Sequence, residues 1–260
     1  MKKHLFISSL TLVFLTTVGC DPMDERERLI YEKPEAASRV VLLEDFTGQR
    51  CVNCPKATDV IGQLREVYGD DAFVAVSIHA GPLGFAGNDN TLGLATATGD
   101  EYYNHWQLEY QPIGLVNRQA PLNYSEWGAT VREELSKPAS LSLFGKAELT
   151  DNSIEILINA IGTDGATQGK LQVWLLEDSI TALQLMPDGT ANHGYIHNHV
   201  FRTAVNGSWG DEFSIDEGQT VKREMRLPVD VLWNVRQLSI VAFVYNESGV
   251  LQTTKFKVDN

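Results

Sequence analysis

Cysteine is scarce in this chain, with three in 260 residues. Basic residues are also short: 21 Lys and Arg stand against 34 Asp and Glu, for a formal charge of −13. So few thiols build no disulfide framework, and the body must be held by an ordinary hydrophobic core. Such acidity argues against nucleic acid as a partner and against electrostatic docking on anionic lipid. Beyond the N-terminal segment, no apolar run is long enough to span a bilayer as a helix.

What is present at the N-terminus is an export signal. Lys2 and Lys3 precede an apolar stretch from about Leu5 to Val18, closed by Thr17-Val18-Gly19-Cys20. A basic start, a short apolar core and small residues before the cut describe a cleaved signal, too short to remain as a span. The cysteine directly after the small residues makes residues 1–19 a lipoprotein signal, with lipid expected on Cys20. Thr17 sits where leucine is commoner, and an ordinary secretory signal with a chance cysteine is the alternative. Losing Lys2 and Lys3 takes the charge to −13 − 2 = −15, so membrane attachment has to come from acyl chains. Residues 20–38 are polar, acid-rich and carry Pro22 and Pro34, as a tether between anchor and body does. Asp21 leaves open whether the lipid faces the periplasm or the surface.

The other two cysteines lie in Thr47-Gly48-Gln49-Arg50-Cys51-Val52-Asn53-Cys54-Pro55, between an apolar strand-like run and an amphipathic one. A Cys-x-x-Cys between a strand and a helix is a redox motif. In the first turn of a helix, a cysteine meets unpaired N–H groups and the positive end of the dipole, which favour its thiolate. Arg50 adds a charge beside it. Cys51 is expected to be the exposed attacking sulfur and Cys54 the more buried resolving one. A static staple is the plainer alternative, but so short a ring removes little chain entropy.

Residues 39–137 alternate strand and helix. Strand-like Val40–Phe46, helical Cys54–Tyr68 (apolar at Ala57, Val60, Ile61, Leu64, Val67) and strand-like Phe73–Ile78 lead into a Gly-, Asn- and Thr-rich insertion, 81–100. A short helix at Tyr102–Leu108, a strand from Ile113 to Arg118 and a helix Tyr124–Leu135 capped by Asn123 follow, giving an α/β layered domain. Residues 138–260 read as seven strands without a convincing helix, a β-sandwich of Ig-like or jelly-roll-like kind, with Trp174, Trp209, Trp233 and Phe243 in its core.

The first half resembles thioredoxin. Asp45 lies six residues before Cys51, where that fold carries a buried acid that helps deprotonate the resolving cysteine, and Gln111-Pro112 before a strand is similar to its cis-proline element. A broader resemblance is to the outer-membrane-protein-28-related bacterial lipoproteins. It rests on Glu44-Asp45-Phe46-Thr47-Gly48 with the cysteine pair, Ser77-Ile78-His79-Ala80-Gly81 and Tyr110 to Arg118. His197-Asn198-His199-Val200-Phe201-Arg202 and Ile240 to Tyr245 extend it. These resemblances imply a thioredoxin-like domain followed by an all-β domain on an outer-membrane lipoprotein of a Gram-negative envelope. Departures from thioredoxin proper are Asn53 in place of the loop proline, Pro55 after the second cysteine, and the 81–100 insertion.

The expected activity is thiol–disulfide exchange on exported proteins through Cys51 and Cys54, with Asp45 and Pro112 in support and no soluble cofactor. The alternative is a surface binding or adhesion lipoprotein whose β-sandwich meets the partner and whose cysteines are idle. His79 is expected to be either a structural histidine or a neighbour of the pair. His193, His197 and His199 are weak metal candidates, the latter two sharing one strand face. No metal is expected at the cysteine pair alone, because zinc needs three or four ligands. The insertion is expected to touch something near the pair.

Overall fold

Every residue of β1 (Val41–Thr47) and of β2 (Phe73–His79) is buried. Both faces are covered, so neither sequence alternates. The structure, a computed structural model, describes residues 32–260. Lys2, Lys3 and Cys20, with the expected signal and lipid site, lie outside the described residues.

β1 and β2 pair in parallel, connected by α1 (Cys54–Tyr68), and β3 (Ile113–Val116) pairs antiparallel with β1. Ala57, Ile61 and Leu64 of α1 join Trp127 and Val131 of α3 (Trp127–Leu135) over Val41, Leu43, Phe73 and Ala75. On the other sheet face, Tyr102 and Tyr103 of α2 (Ala97–His105) pack with Leu42, Phe46, Val76 and Ile78. α2 begins ahead of the expected Tyr102 because Thr96 caps it, its hydroxyl accepting from the Gly99 N–H at 3.0 Å. Asn123 does not cap α3. Its side chain takes the Ser125 N–H at 3.1 Å in a turn before the helix.

Ten strands follow Pro138: β4 (Leu141–Thr150), β5 (Ser153–Gly162), β6 (Thr167–Glu177), β7 (Ile180–Leu185), β8 (Ala191–His197), β9 (Val200–Ala204), β10 (Asp211–Ile215), β11 (Thr220–Pro228), β12 (Leu238–Asn246) and β13 (Gly249–Asp259). The expected α/β thioredoxin-like domain followed by a β-sandwich is overturned here. A single 11-stranded mixed sheet runs β11-β5-β4-β13-β12-β6-β9-β2-β1-β3, with β10 paired to β6, and only β7 and β8 stand apart as a hairpin. Lys33–Asn260 forms one compact unit.

The joint is β9. It runs antiparallel to β6 and parallel to β2, where the Ser77 N–H donates to the His199 carbonyl at 2.8 Å. It thus covers the backbone edge that β2 would otherwise leave open. β6 and β12 then serve two cores at once. Trp174, Val241 and Phe243 face the cluster holding Phe46 and Ile78. Val173, Leu175, Ile240 and Ala242, alternating with them, face Ile154, Ile156 and Phe213. Side-chain period two puts consecutive residues on opposite faces, so one strand builds both cores. Of the four expected core aromatics, Trp174 and Phe243 are fully buried, whereas Trp209 and Trp233 are half-buried.

A polar node fastens the end of β3. The Asn117 side chain accepts the Leu42 N–H at 2.9 Å and donates to Glu134 at 2.8 Å, and Glu134 also accepts from Gln119 and Arg39. Burial would push the Glu134 carboxyl up, but hydrogen bonds from Lys137, Asn117 and Gln119 outweigh it and hold the group below the ordinary range.

Candidate functional site

β1 ends at Thr47 and delivers the chain into a tight turn before α1. Gly48 is required there, because a Cβ would lie 2.2 Å from the Leu83 carbonyl oxygen. Cys51 and Cys54 are joined by a disulfide. Cys54 is the first helical residue, and Cys51 sits in the preceding turn, its N–H donating to the Gly48 carbonyl at 3.0 Å. The expectation that Cys51 lies within the first helical turn and is the exposed sulfur is corrected: the two cysteines are 1% and 2% exposed.

The burial has a visible cause. The β7–β8 hairpin lies over the turn, where Gln184 Nε2 donates to the Cys51 carbonyl at 2.9 Å and to the Gly48 carbonyl at 3.3 Å. Leu185 N–H donates to the Gln49 carbonyl at 2.9 Å. Buried Gln49 completes the seam, donating to the carbonyls of Leu183 and Leu92 and accepting the Leu94 N–H. Leu83 accepts the Arg50 N–H, and the exposed Arg50 guanidinium lies 4.7 Å from the Phe85 ring centre. The 81–100 insertion and the hairpin together therefore close over the cysteine turn.

Beneath the pair lies a buried polar layer. Parallel register places Asp45 opposite Ser77 and Thr47 opposite His79, on the β1–β2 face that packs against α1. Asp45 is 1% exposed and its Oδ1 has no hydrogen-bond partner among the described residues. Burial pushes its carboxyl up to about 8. A cavity of about 20 Å³, on the scale of one water molecule, touches Cys54, Thr47, Ser77, His79 and His197. The His79 and His197 rings are 5.1 Å apart. Burial, then the charges of His197 and Arg202, hold His79 well below its usual range, and burial lowers His197 to about 4. Both imidazoles are therefore neutral near pH 7.

The three candidate metal histidines do not converge. His193 is exposed on β8, His197 turns to His79, and His199, with φ at +50°, pairs with Asp178 at 3.3 Å. The turn at 198–199 breaks the alternation that would have put His197 and His199 on one face. No group of three or more metal-ligating side chains is found among the described residues. The Gln111–Pro112 peptide is cis. Pro112 lies one residue beyond the Phe46–Ile113 register pair, and Gln111 Nε2 donates to the Thr47 and Ala80 carbonyls at 2.6 and 2.9 Å, so the proline sits beside the strand end that leads to the cysteines.

Sequence reasoning missed Gln184 and Gln49, which cover the pair. The signal for the hairpin was Pro187-Asp188-Gly189, a turn tripeptide between two alternating stretches.

A family model described as Outer membrane protein Omp28 matches residues 99–260. The chain belongs to the Omp28 family. Membership puts this Omp28-family chain in the outer membrane of the cell envelope. Among solved structures, HBP35 of Porphyromonas gingivalis is similar in fold, at 12% identity and a TM-score of 0.64, covering 85% of this chain and 76% of that one. A domain of the outer membrane lipoprotein Omp28 from the same organism is 29% identical over 46% of this chain and 89% of its own, with a TM-score of 0.36. No curated protein matches.

Proposed function

We propose that this chain is a lipid-anchored envelope protein whose Cys51–Cys54 pair exchanges disulfides with other exported proteins. The observation that carries the reading is a disulfide at the start of α1 with Asp45 buried, its Oδ1 without a hydrogen-bond partner among the described residues, and its carboxyl raised to about 8 on the strand face under that helix. From the oxidised state, a partner thiolate attacks the Cys51 Sγ. The Cys51–Cys54 bond breaks, its electron pair leaves on Cys54, and Asp45 supplies the proton that Cys54 takes up. A second thiolate of the partner then displaces Cys51, so the partner leaves oxidised and both cysteines are reduced. In reverse, Cys51 attacks a partner's disulfide and Cys54, returning its proton to Asp45, resolves the mixed species. Pro112 flanks the extended partner chain. The hairpin cover has to part before either direction runs. Residues 20–38 would tether the body to lipid on Cys20.

Burial of both sulfurs favours a second reading, in which the pair is structural and the β-rich part binds a surface partner. Thiol trapping in the intact envelope separates the two. Cys54→Ser should accumulate mixed disulfides with exported proteins, and Cys51→Ser should not. Absence of adducts from Cys54→Ser, in cells where Cys20→Ala releases the protein from the membrane, leaves the anchor and removes the exchange.

A further inference from the structure

A cavity of about 910 Å³ opens apart from the cysteine turn, none of whose residues lines it. Arg118 is part of its wall. It is a buried cation, 6% exposed, at the end of β3. Its Nε donates to Glu44 at 3.2 Å, while Nη1 and Nη2 have no partner among the described residues. A desolvated guanidinium with most of its donors unmet is costly.

Five aromatic rings surround this cation. Tyr102, Trp174 and Phe243, all fully buried, close its back at 5.9, 5.4 and 4.7 Å from ring centre to Cζ. Tyr245 and Trp209, at 4.2 and 5.8 Å, are half-buried and also line the cavity. Ring faces attract the cation but accept none of its in-plane N–H bonds. If Arg118 served packing alone, the rings would suffice. The two buried, unpartnered Nη groups and the cavity on the side of the half-buried rings go beyond that role.

Charge selects the ligand. A guanidinium fork matches a carboxylate in two parallel hydrogen bonds. Of the other charged groups that line the cavity, Lys170 faces Glu212 at 3.7 Å, and Arg223 and Glu247 complete the rim. With Glu44 on the Nε side, the Nη pair of Arg118 is left for one carboxylate. The volume suits an organic molecule of ordinary ligand size.

We propose that this cavity binds an organic monocarboxylate with a flat apolar body, its carboxylate on the Nη groups of Arg118 once the half-buried Trp209 and Tyr245 rings that cover them shift aside, and its body against those rings. The site does not depend on the cysteine pair.

Calorimetry on the whole purified chain tests it with two probes of one shape, 2-naphthoate and its neutral counterpart 2-naphthalenemethanol. The carboxylate should bind about ten- to a hundredfold tighter, the ratio that charged hydrogen bonds give. Arg118→Lys, which keeps a charge opposite Glu44, should erase that preference, and Trp209→Leu should weaken both probes alike. Equal binding of the two probes, binding of neither, or a preference that survives Arg118→Lys overturns the assignment. The two-probe comparison and Trp209→Leu still decide if Arg118→Lys does not fold.

Discussion

Asp45 is the residue at which the fold gives up stability. Its carboxyl titrates near 3.8 in an unfolded chain and near 8 when buried. Across that window the unfolded chain releases a proton that the folded chain keeps. The contribution of Asp45 to stability should therefore fall as pH rises from about 4 to 8, and level off above it. His79 and His197 act oppositely: burial disfavours their protonation, so their contribution should fall as pH drops below 6.5. Asp45→Asn should remove that part of the slope between pH 4 and 8 and raise stability at pH 7 by on the order of 2 kcal/mol. With both cysteines present, it should also slow resolution of the mixed disulfide, since the group that takes the Cys54 proton is gone. Urea unfolding at pH 5, 7 and 8 reads the first effect. An unchanged pH slope in the variant would mean that Asp45 ionises freely in the fold. The acid's position six residues before Cys51 was legible through the thioredoxin resemblance; its bare Oδ1 was not, because the surroundings there depend on α1 and β2.

At the scale of elements, the β7–β8 hairpin decides whether the sulfurs are reached. It is attached to the cysteine turn by Gln184, Gln49 and the Leu185 N–H, and to the main sheet by no strand pairing. Such a unit opens at lower cost than the sheet beneath it. Gln184→Ala removes the donor to the Cys51 and Gly48 carbonyls, costing about 1–2 kcal/mol. Reduction of the disulfide by dithiothreitol should then quicken by up to about tenfold, followed by timed alkylation and mass spectrometry. If the rate is that of the parent chain, the sulfurs are reached by another route. The elements themselves were unevenly legible. Ala57, Ile61 and Leu64 at helical spacing marked α1, and alternation marked β5. Hairpin strand β7 hid because its inward residues, Ile180, Ala182 and Gln184, include a polar one whose partner is backbone 133 positions earlier in the chain. Arg118 gave no signal at all, since its rings come from residues 102 to 245.

At the scale of the molecule, strand alternation and helix periodicity describe segments, not the sheet they join. The change of texture after Pro138 is real: helices precede it and strands follow it. It suggested two folds because each strand run looked self-sufficient. What joins them is a five-residue strand, β9, and the double use of β6 and β12, and neither leaves a local mark. The joint has a mechanical consequence. Trp174 on β6 is fully buried and packs against Tyr102 of α2, Phe201 of β9 and Phe243 of β12, with centroids 5.5, 5.3 and 4.8 Å away. Truncating it opens a cavity shared by strands from both sides of Pro138, at a cost of about 3–5 kcal/mol. Trp174→Ala should therefore lower the stability of β1–β3 and of β4–β6 together, in one unfolding transition. Hydrogen exchange resolves this: amides of Leu43 and Val76 should lose protection in step with those of Ile156 and Leu175. If Ile156 kept its protection while Leu43 lost it, the halves would fold separately and the shared sheet would be an interface between two units.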